Sequence, residues 1–490
     1  MDNHRSLHRP NETAWGLSAL DARRRQIEQI QAASATERSH WIARNHYFYN
    51  KVSELVRFII EPGKRVLNIR CQNGILLDTA QPSRGLGIEL TDALVGQARE
   101  TFPHLEFRTG IPEELTLDET FDYILFDNCS DTVDVVQALQ RLRHCCEPHT
   151  RLVIYTYNHL WEPIVKLAER IGLKMPLAEQ NWLSEFDLRN MLGLAGFSHL
   201  RTYREFLVPK YIPIVAEIGN EFFAKLPGIR RLCLVNMLVA RPQFPAIDPS
   251  SVSVSVVIPC KDERGNIQPA VERMPEMGAR TELLFCDDKS TDGTAEEVRR
   301  LQRLYPDKDI KLIPGPGLGK AQNVWTGFDA ASGDILMILD ADLTVMPEEL
   351  PYFFQVLVSR VGEFANGTRL VYPMQEQAMK YFNMAGNKFF SMVFSFILGQ
   401  RIRDTLCGTK VLWRADWKRL RQNLGTWGIE DKWGDYELLF GAAKLQLEIM
   451  EVPVHYQERV YGTTKMVRVL ANGLRMLRIA IAGFLKLRWR

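Results

Sequence analysis

Residues 334–350 read DILMILDADLTVMPEEL, and this stretch decides the fold of the second half of the chain. Five apolar residues, from Ile335 to Leu339, lead directly into two carboxylates one residue apart, Asp340 and Asp342. A short apolar run that stops at polar residues is typical of a buried strand in an α/β sheet. Since such sheets place ligands at the carboxyl ends of their strands, we expect a site here.

The two carboxylates predict a metal-assisted diphosphate site. Asp340 and Asp342 flank one small residue, Ala341, and their mutual repulsion would raise a pKa unless a cation offset it. Mg²⁺ and Mn²⁺ prefer carboxylate oxygens and also bind diphosphate oxygens. The pair therefore predicts a bridge to a nucleotide diphosphate. In the alternative, Asp342 only caps the turn before Pro347, where a helix begins.

Two further predicted strands of this half also end in polar clusters, IPCKDERGN at 258–266 and CDDKSTDGT at 286–294. We expect the three clusters to converge, because the carboxyl ends of neighbouring parallel strands lie at one edge of a sheet. Part of the second cluster suits a turn and a helix cap. The adjacent carboxylates Asp287 and Asp288 are harder to explain by capping alone.

Bulk composition bounds the class of protein. The chain has 490 residues, 46% of them hydrophobic, which predicts more than one domain. A net charge of +2 gives no indication of a nucleic-acid partner. Eight cysteines without CxxC spacing argue against a zinc site or a disulfide scaffold. With no signal-peptide pattern and no run of about 18 uncharged apolar residues, we expect a cytoplasmic location.

Strand and helix patterns alternate from Lys64 to Arg241 and again from Val252 onward. Such alternation predicts α/β domains, each a doubly wound sheet. Between them, RPQFPAIDPSS (241–251) holds three prolines and reads as a linker. The predicted organisation is a polar tail with a short helix at 1–40, a first domain at 41–242, a linker at 243–251, a second domain at 252–465 and a basic amphipathic helix at 466–490.

The second domain resembles glycosyltransferase family 2 enzymes of the GT-A fold, in particular the dolichol-phosphate mannose synthase branch. The matching stretches, in family order, are VSVVIPCKDERGNI, DDKSTDGT, GLGKAQNVWTGFDAASGDILMILDADL, FANGTRL, DTLCGTKVLWR, GDYELL and EVPVHYQERVYGTTK. The resemblance implies inverting, Mg²⁺- or Mn²⁺-dependent transfer of a sugar from a UDP- or GDP-linked donor. The implied acceptor is a polyprenyl phosphate or similar lipid, in cell-envelope glycan synthesis.

The resemblance also assigns roles by position. The residues implied to bind the nucleotide sugar are Pro259, Glu263, Asp287, Asp288, Lys320, Asp340, Ala341 and Asp342. The metal would be held by Asp340 and Asp342, and the acceptor phosphate would face Arg369. Arg459 and Lys465, on a glycine-containing loop, would close over the departing diphosphate and stabilise its charge. A solvated basic loop is the alternative for this last pair.

Asp435, in WGDYELL, matches the position of the catalytic base in relatives that glycosylate hydroxyl groups. A lipid phosphate is already anionic at pH 7 and needs no proton removed. With such an acceptor, Asp435 would only position groups. The implied catalytic residues are Asp435, Asp342, Arg459 and Lys465.

Residues 466–490 carry six basic residues and no acidic one. Arg468, Arg475 and Arg478 fall on one face of a predicted helix, with apolar residues on the other. This pattern suits a helix lying on an anionic membrane, where each basic residue contributes about 1 kcal/mol. We therefore expect a peripheral protein on the inner face of the cell membrane. In the alternative, the terminal helix packs on the protein body with its arginines in solvent. A separate segment, FFSMVFSFIL (389–398), offers a second apolar surface for a polyprenyl chain.

The first domain resembles class I S-adenosylmethionine-dependent methyltransferases. The segment VLNIRCQNG (66–74) stands where that family usually has an acidic residue followed by three spaced glycines. Here Asn68 replaces the acid, Arg70 and Gln72 replace two glycines, and Gly74 remains. Because glycine lets the backbone approach the cofactor closely, bulky side chains at these positions would crowd it.

Glu89, in GIEL, stands where the resemblance implies a carboxylate that binds ribose hydroxyls. The implied cofactor pocket is therefore Asn68, Gly74 and Glu89, with S-adenosylmethionine binding impaired. We expect this domain to act as a scaffold or as an acceptor-recognition module.

The whole chain resembles bacterial proteins that fuse a methyltransferase-like domain to a family 2 glycosyltransferase. Two other functions fit the sequence: a methyltransferase of a sugar or glycolipid whose C-terminal domain only recognises its target, and a non-catalytic assembly factor. The carboxylates of the second domain are intact while the glycines of the first are not. This contrast favours the glycosyltransferase.

Overall fold

The computed structural model describes residues 14–175, 178–372, 381–429, 431–459, 461 and 469–489. The chain divides between Gln243 and Phe244 into two compact units, here called the N-terminal and the C-terminal unit. Each unit is built on its own seven-stranded sheet.

The N-terminal unit is a doubly wound sheet. Its strands are β1 (Arg65–Ile69), β2 (Arg84–Glu89), β3 (Glu106–Thr109), β4 (Phe121–Asp127), β5 (Cys146–Tyr157), β6 (Phe197–Glu205) and β7 (Val235–Pro242). The spatial order is β3, β2, β1, β4, β5, β7, β6. The first five strands are parallel, whereas β7 runs antiparallel to both of its neighbours.

Helices cover both faces of this sheet. They are α1 (Ala14–Arg44), α2 (His46–Ile59), α3 (Ile75–Thr79), α4 (Asp92–Thr101), α5 (Val135–Leu142), α6 (Glu162–Arg170), α7 (Glu185–Leu194) and the short α8 (Val215–Glu217). Successive strand residues alternate between two cores: Val66 and Leu125 pack with α2, while Leu67 and Ile124 pack with α5. Burial on both faces explains why these strands read as nearly continuous apolar runs.

The C-terminal unit contains β8 (Ser253–Cys260), β9 (Arg280–Asp287), β10 (Asp309–Pro314), β11 (Ile335–Ile338), β12 (Phe364–Thr368), β13 (Lys410–Trp413) and β14 (Ile449–Pro453). Their order in the sheet is β10, β9, β8, β11, β13, β12, β14. The helices are α9 (Arg264–Glu272), α10 (Thr294–Leu304), α11 (Lys320–Ala330), α12 (Leu350–Val358), α13 (Tyr381–Leu398), α14 (Arg414–Arg421), α15 (Asp435–Lys444) and α16 (Val469–Leu487).

The apolar run before Asp340 forms the central strand β11, whose residues are all buried. β11 pairs in parallel with β8 and antiparallel with β13. The predicted α/β class with two doubly wound units is confirmed, but both sheets are mixed, since each contains an antiparallel strand. A single antiparallel strand is common in large doubly wound sheets, because burial of both faces constrains strand composition more than strand direction.

Two terminal segments differ from expectation. α1 is 31 residues long, whereas the sequence suggested only a short helix within 1–40, because its mostly polar residues give little apolar periodicity. α16 packs against α13 and α15. Arg475 of α16 stacks over the ring of Trp433 at 5.7 Å, so the predicted arginine face does not point wholly into solvent. Arg468 lies outside the described residues.

The exposed face of α16 is largely apolar, with Leu474, Leu477, Ile481 and Leu485 all exposed. Arg478 and Lys486 lie exposed between them. Among the helices that the structure describes, none has the length and apolarity needed to cross a bilayer.

Candidate active site

Three polar loops meet at one edge of the C-terminal sheet. β8, β9 and β11 are parallel neighbours, so the loops that follow them lie side by side. The loop after β8 is hydrogen-bonded to the loop after β9: the amide of Asp288 donates to the carbonyl of Cys260 at 2.9 Å, and Lys261 Nζ donates to the carbonyl of Asp288 at 2.8 Å. The sheet thus places Asp340 beside these two loops.

Asp340 forms an ion pair with Lys320, the first residue of α11, with 2.5 Å between Oδ1 and Nζ. Burial opposes charge on both groups, but the partners dominate: Lys320 lowers the pKa of Asp340, and Asp340 raises the pKa of Lys320. Gly408 packs so closely that a Cβ there would overlap the Asp340 carboxylate. The loop that carries Gly408 therefore fixes where the Asp340 carboxylate can lie.

Asp342 uses its two oxygens differently. Oδ1 accepts hydrogen bonds from the amide of Thr344 at 3.2 Å and from its hydroxyl at 2.9 Å, which closes a turn. Oδ2 lies 2.5 Å from Nη2 of Arg459. Oδ1 of Asp342 thus caps the turn, as in the alternative, while Oδ2 belongs to the charged cluster.

Asp435 begins α15 and is almost fully buried. Its Oδ1 accepts from Lys410 Nζ at 2.5 Å, and Lys410, with no exposed side-chain surface, also donates to the carbonyl of Cys407 at 2.6 Å. The N-terminal end of a helix favours a carboxylate electrostatically. Gly434, at φ 80°, adopts the left-handed conformation that leads into this helix.

Sequence reasoning missed Lys410. It lies on β13, where a lysine in the otherwise apolar strand KVLW was the available signal. A fully buried lysine requires a charged partner. Asp435 supplies that partner.

The cluster therefore contains three carboxylates, each paired with a cation: Asp340 with Lys320, Asp342 with Arg459 and Asp435 with Lys410. Charges from other pairs also act across it, since Asp435 and Asp342 contribute to the raised pKa of Lys320. Opposite charges in this arrangement balance one another. A dianionic ligand can enter only if cations move from carboxylates to the ligand or if a metal accompanies it.

The donor set fits a metal held jointly with a ligand. Among the described residues no group of three or more His, Cys, Asp or Glu side chains is placed to hold a metal ion. Asp340 and Asp342 offer hard oxygen ligands, and Mg²⁺ is commonly bound by one or two carboxylates together with substrate phosphates. A cation fits here together with a diphosphate rather than as a resident ion.

Asp288 fixes a glycine loop. Its carboxylate accepts from the amide of Gly317 at 2.6 Å and from that of Gly319 at 3.1 Å. This loop leads directly into Lys320. The structure thus gives Asp288 a positioning contact that the sequence did not indicate.

The remaining predicted nucleotide contacts lie at the same edge. Asp287 accepts from the amide of Ser290 at 3.3 Å and lines an open depression with Pro314. The carboxylate of Glu263 is buried and accepts from Nδ2 of Asn266 at 2.8 Å. Pro259 lies near the end of β8, and Ala341 directly follows Asp340, so both are at this edge.

Arg369 lies in a second buried pair. Its Nε and Nη2 donate to the two oxygens of Asp404 at 2.7 and 2.9 Å, and its guanidinium lies 5.2 Å from the ring centre of Tyr456. Burial acts to lower the pKa of Arg369, but the neighbouring Asp404 carboxylate outweighs burial and raises it. This pair joins the end of β12 to the loop that carries Gly408, a connection that sequence reasoning did not identify. Lys465 lies outside the described residues.

The N-terminal unit keeps the backbone of a glycine-rich turn although two of the three expected glycines are replaced. Arg70 and Gln72 have φ of 59° and 53°, in the left-handed region that costs a residue with a side chain about 1–2 kcal/mol. Arg70 is buried and ion-paired with Asp131 at 2.6 Å and with Glu89 at 3.7 Å. A Cβ on Gly74 would lie 2.7 Å from the ring of Phe107.

These residues do not fit S-adenosylmethionine. Glu89 is fully buried, and its two oxygens accept from the amides of Gln72 and Leu90, each at 2.7 Å, beside the Arg70 guanidinium. Asn68 is also fully buried and donates to the carbonyl of Leu125 at 3.1 Å. The side chains of Glu89 and Asn68, expected to face the cofactor, are thus hydrogen-bonded to the protein's own backbone.

Comparison with known proteins found similarity within the C-terminal unit. Residues 255–435 match the family model described as Glycosyl transferase family 2. A dolichol-phosphate mannosyltransferase of Saccharomyces cerevisiae is 39% identical over 125 residues, which cover 24% of this chain and 45% of the relative. A dolichyl-phosphate beta-glucosyltransferase of Trichomonas vaginalis is 28% identical over 266 residues, 49% of this chain and 76% of the relative. The chain thus spans less than half the length of the yeast relative.

A solved structure of an S-adenosylmethionine-dependent methyltransferase from Thermotoga maritima aligns with 44% of this chain and 99% of its own. The sequence identity is 17% and the TM-score is 0.36.

Proposed function

We propose, on the premise that residues 255–435 form a glycosyl transferase family 2 domain, that this protein transfers a sugar from a nucleotide diphosphate sugar to a lipid-linked phosphate acceptor. The observation that carries this is the cluster of Asp340, Asp342 and Asp435 with their three cations at the carboxyl edge of the sheet. The two relatives described above act, by their names, on dolichol phosphates.

The nucleotide end of the donor binds beside Asp287, at the end of β9, and the diphosphate lies towards Asp340. Asp340 and Asp342 would hold Mg²⁺ or Mn²⁺, which supplies positive charge to the diphosphate. Lys320 is paired with Asp340, and Arg459 is paired with Asp342. Either cation can leave its carboxylate partner and bind a phosphate oxygen of the donor. This exchange stabilises the charge that develops on the leaving nucleotide.

The acceptor oxygen attacks the anomeric carbon from the face opposite the leaving diphosphate, which inverts that centre. A phosphate acceptor is anionic and requires no base. Asp435, held by Lys410, then positions groups around the attacking oxygen. With a hydroxyl acceptor, the same carboxylate is available to accept the proton.

We propose that the apolar face of α16 binds a membrane surface. Leu474 and Ile481 are 63% and 53% exposed, and Phe389 and Met392 of α13, the helix against which α16 packs, are exposed as well. An apolar face with basic residues at its border suits the inner surface of a cell membrane. A lipid-linked acceptor would be met there.

The catalytic proposal is tested with purified full-length protein, Mg²⁺ or Mn²⁺, and a panel of UDP- and GDP-sugars. Release of nucleotide diphosphate is measured with and without undecaprenyl phosphate. We expect release from one donor that rises on adding the lipid phosphate and is lost in Asp342→Ala. Activity unchanged in that variant would contradict the proposed site.

Membrane binding is tested separately by co-sedimentation with vesicles that contain phosphatidylglycerol. We expect Ile481→Glu to weaken binding about tenfold, because it puts a charge on the face that inserts. Leu304→Glu, on the exposed end of α10, is the matched control. Equal binding by all three proteins would contradict a role for α16.

A further inference from the structure

The N-terminal unit contains a cavity of about 450 Å³, within the range of small-molecule sites. It lies where Arg70 and Gln72 replace glycine, and α1, α2, β4, β5 and α6 contribute its walls. Its surface is mostly apolar and rich in aromatic rings, which belong to Trp41, Phe48, Tyr49, Tyr155, Tyr157 and Trp161. Ligand pockets typically combine such walls with a few polar groups.

Several polar atoms in the wall of this cavity have no hydrogen-bond partner within the described residues, and two of them belong to Asp127 and Arg38. Asp127, the last residue of β4, is 4% exposed, and its Oδ1 has no hydrogen bond to any described residue. Nε of the buried Arg38 also has no hydrogen-bond partner among the described residues. Buried polar atoms are rarely left unsatisfied, because each one costs free energy. An acceptor and a donor in the cavity wall thus remain unsatisfied.

Burial raises the pKa of Asp127 to about 8, with Arg38 opposing the shift and Glu89 and Asp131 adding to it. The carboxyl group is therefore mostly neutral at pH 7. A neutral acid suits a neutral ligand group. Arg38 and Arg70, which line the same cavity, disfavour a cationic one.

The mouth of the cavity is apolar. Ile164 and Ile212 line it and are 54% and 48% exposed. Leu167 on α6, Leu160 just before this helix and Ile171 just after it are exposed as well. A spacing of three residues places Ile164 and Leu167 on a single helical face. An apolar chain entering the cavity would run along this face.

We propose that the cavity binds an amphiphile with an uncharged, hydroxyl-bearing head group and one apolar chain, and that it does not bind S-adenosylmethionine. Hydroxyl groups both donate and accept, so they satisfy Asp127 Oδ1 and Arg38 Nε together. The head group lies between the aromatic rings, and the chain leaves past Ile164 and Ile212. This site is independent of sugar transfer by the C-terminal unit.

The test uses full-length protein and n-octyl β-D-glucoside below its critical micelle concentration, measured by isothermal titration calorimetry. Glucose, which has no chain, and S-adenosylmethionine are the comparison ligands. We expect one glucoside per protein, affinity for glucose at least tenfold lower, and no heat from S-adenosylmethionine. Absence of glucoside binding, equal binding of glucose, or saturable binding of S-adenosylmethionine would overturn the assignment.

Two variants locate the site. Asp127→Leu replaces the buried carboxyl group by a larger apolar side chain, so we expect about tenfold weaker glucoside binding in a protein that still folds. Ile164→Glu places a charge at the mouth and should weaken glucoside but not glucose binding. Leu194→Glu, an exposed position on α7 outside the cavity, is its control. Wild-type affinity in Asp127→Leu, with folding verified by circular dichroism, would overturn the assignment.

Discussion

Asp127 and Asp340 lie at or just beyond the carboxyl ends of central strands in two sheets, yet their surroundings are opposite. Asp340 follows β11 and is paired with Lys320 at 2.5 Å, which lowers its pKa. Asp127 ends β4, and burial without a hydrogen bond to Oδ1 from any described residue raises its pKa to about 8. One strand end therefore carries a paired charge and the other a mostly neutral carboxyl group, because the neighbouring side chains differ and not the fold.

The largest expected effect falls on the charged end. Asp340→Asn removes the charge that organises Lys320, and we expect sugar transfer to fall about 1,000-fold, or about 4 kcal/mol. The rate of nucleotide diphosphate release measures it. Asp307→Asn, on an exposed loop of the same unit, should retain full activity. If Asp340→Asn were as active as this control, the charge of Asp340 would not be needed for sugar transfer.

The next effect concerns stability. Lys410→Met leaves Asp435 buried without its cation, and we expect unfolding in urea to require about 3 kcal/mol less. Adding Asp435→Asn should restore part of this loss, because the uncompensated charge is then gone. Lys418→Met, at an exposed position on α14, serves as control. A loss that Asp435→Asn does not reduce would show that Lys410 contributes packing rather than charge.

Gly408→Ala tests how tightly the Asp340 carboxylate is held. The added methyl would overlap that carboxylate, and displacement of a reacting group by about 1 Å costs about 100-fold in rate. We expect kcat/KM to fall by about this factor. Gly386→Ala on α13, where a Cβ meets open space, should be neutral. Equal rates for both variants would mean that the Gly408 loop adapts freely.

The pH dependence of stability separates the two carboxyl groups by sign. The folded pKa of Asp127 is raised, so its contribution is present at low pH and is lost as pH rises towards about 8. The folded pKa of Asp340 is lowered, so its contribution is present near neutrality and is lost as pH falls below its usual range. Between pH 5 and 7, we expect wild type to lose up to about 1.4 kcal/mol per pH unit relative to Asp127→Asn.

Urea unfolding at several pH values measures this slope. Asp118→Asn, at an exposed position, should leave it unchanged. A slope that is the same with and without Asp127 would mean that the group titrates near its ordinary pKa.

Much of the fold and part of the site follow from local sequence. The apolar run 335–339 and the carboxylates after it predict a buried strand with a site at its end, and β11 occupies this place. The second role of Asp342 was visible as an alternative, because its partner Thr344 is two residues away. Local contacts of this kind can be inferred from spacing alone.

Distant partners were not predictable. The predicted nucleoside contact of Asp288 remains a prediction, and the structure adds that its carboxylate accepts from the amides of Gly317 and Gly319. The predicted acceptor contact of Arg369 likewise remains a prediction, and the structure adds its pairing with Asp404. In each case the partner is 29 to 35 residues away in sequence, and only the packing of separate loops brings the two together.

By itself, the sequence determined the two α/β units, the strands that end in carboxylates and the loss of glycines at Arg70 and Gln72, because periodic burial and turn chemistry are local properties. Only the tertiary structure decided which charge meets which. β13 lies between β11 and β12 and thereby brings Lys410 to Asp435, while Asp127 remains without a hydrogen bond to Oδ1 within the described residues. The physical reason is that the energy of a buried charge depends on its neighbours in space, and strand order, which no local pattern encodes, sets those neighbours.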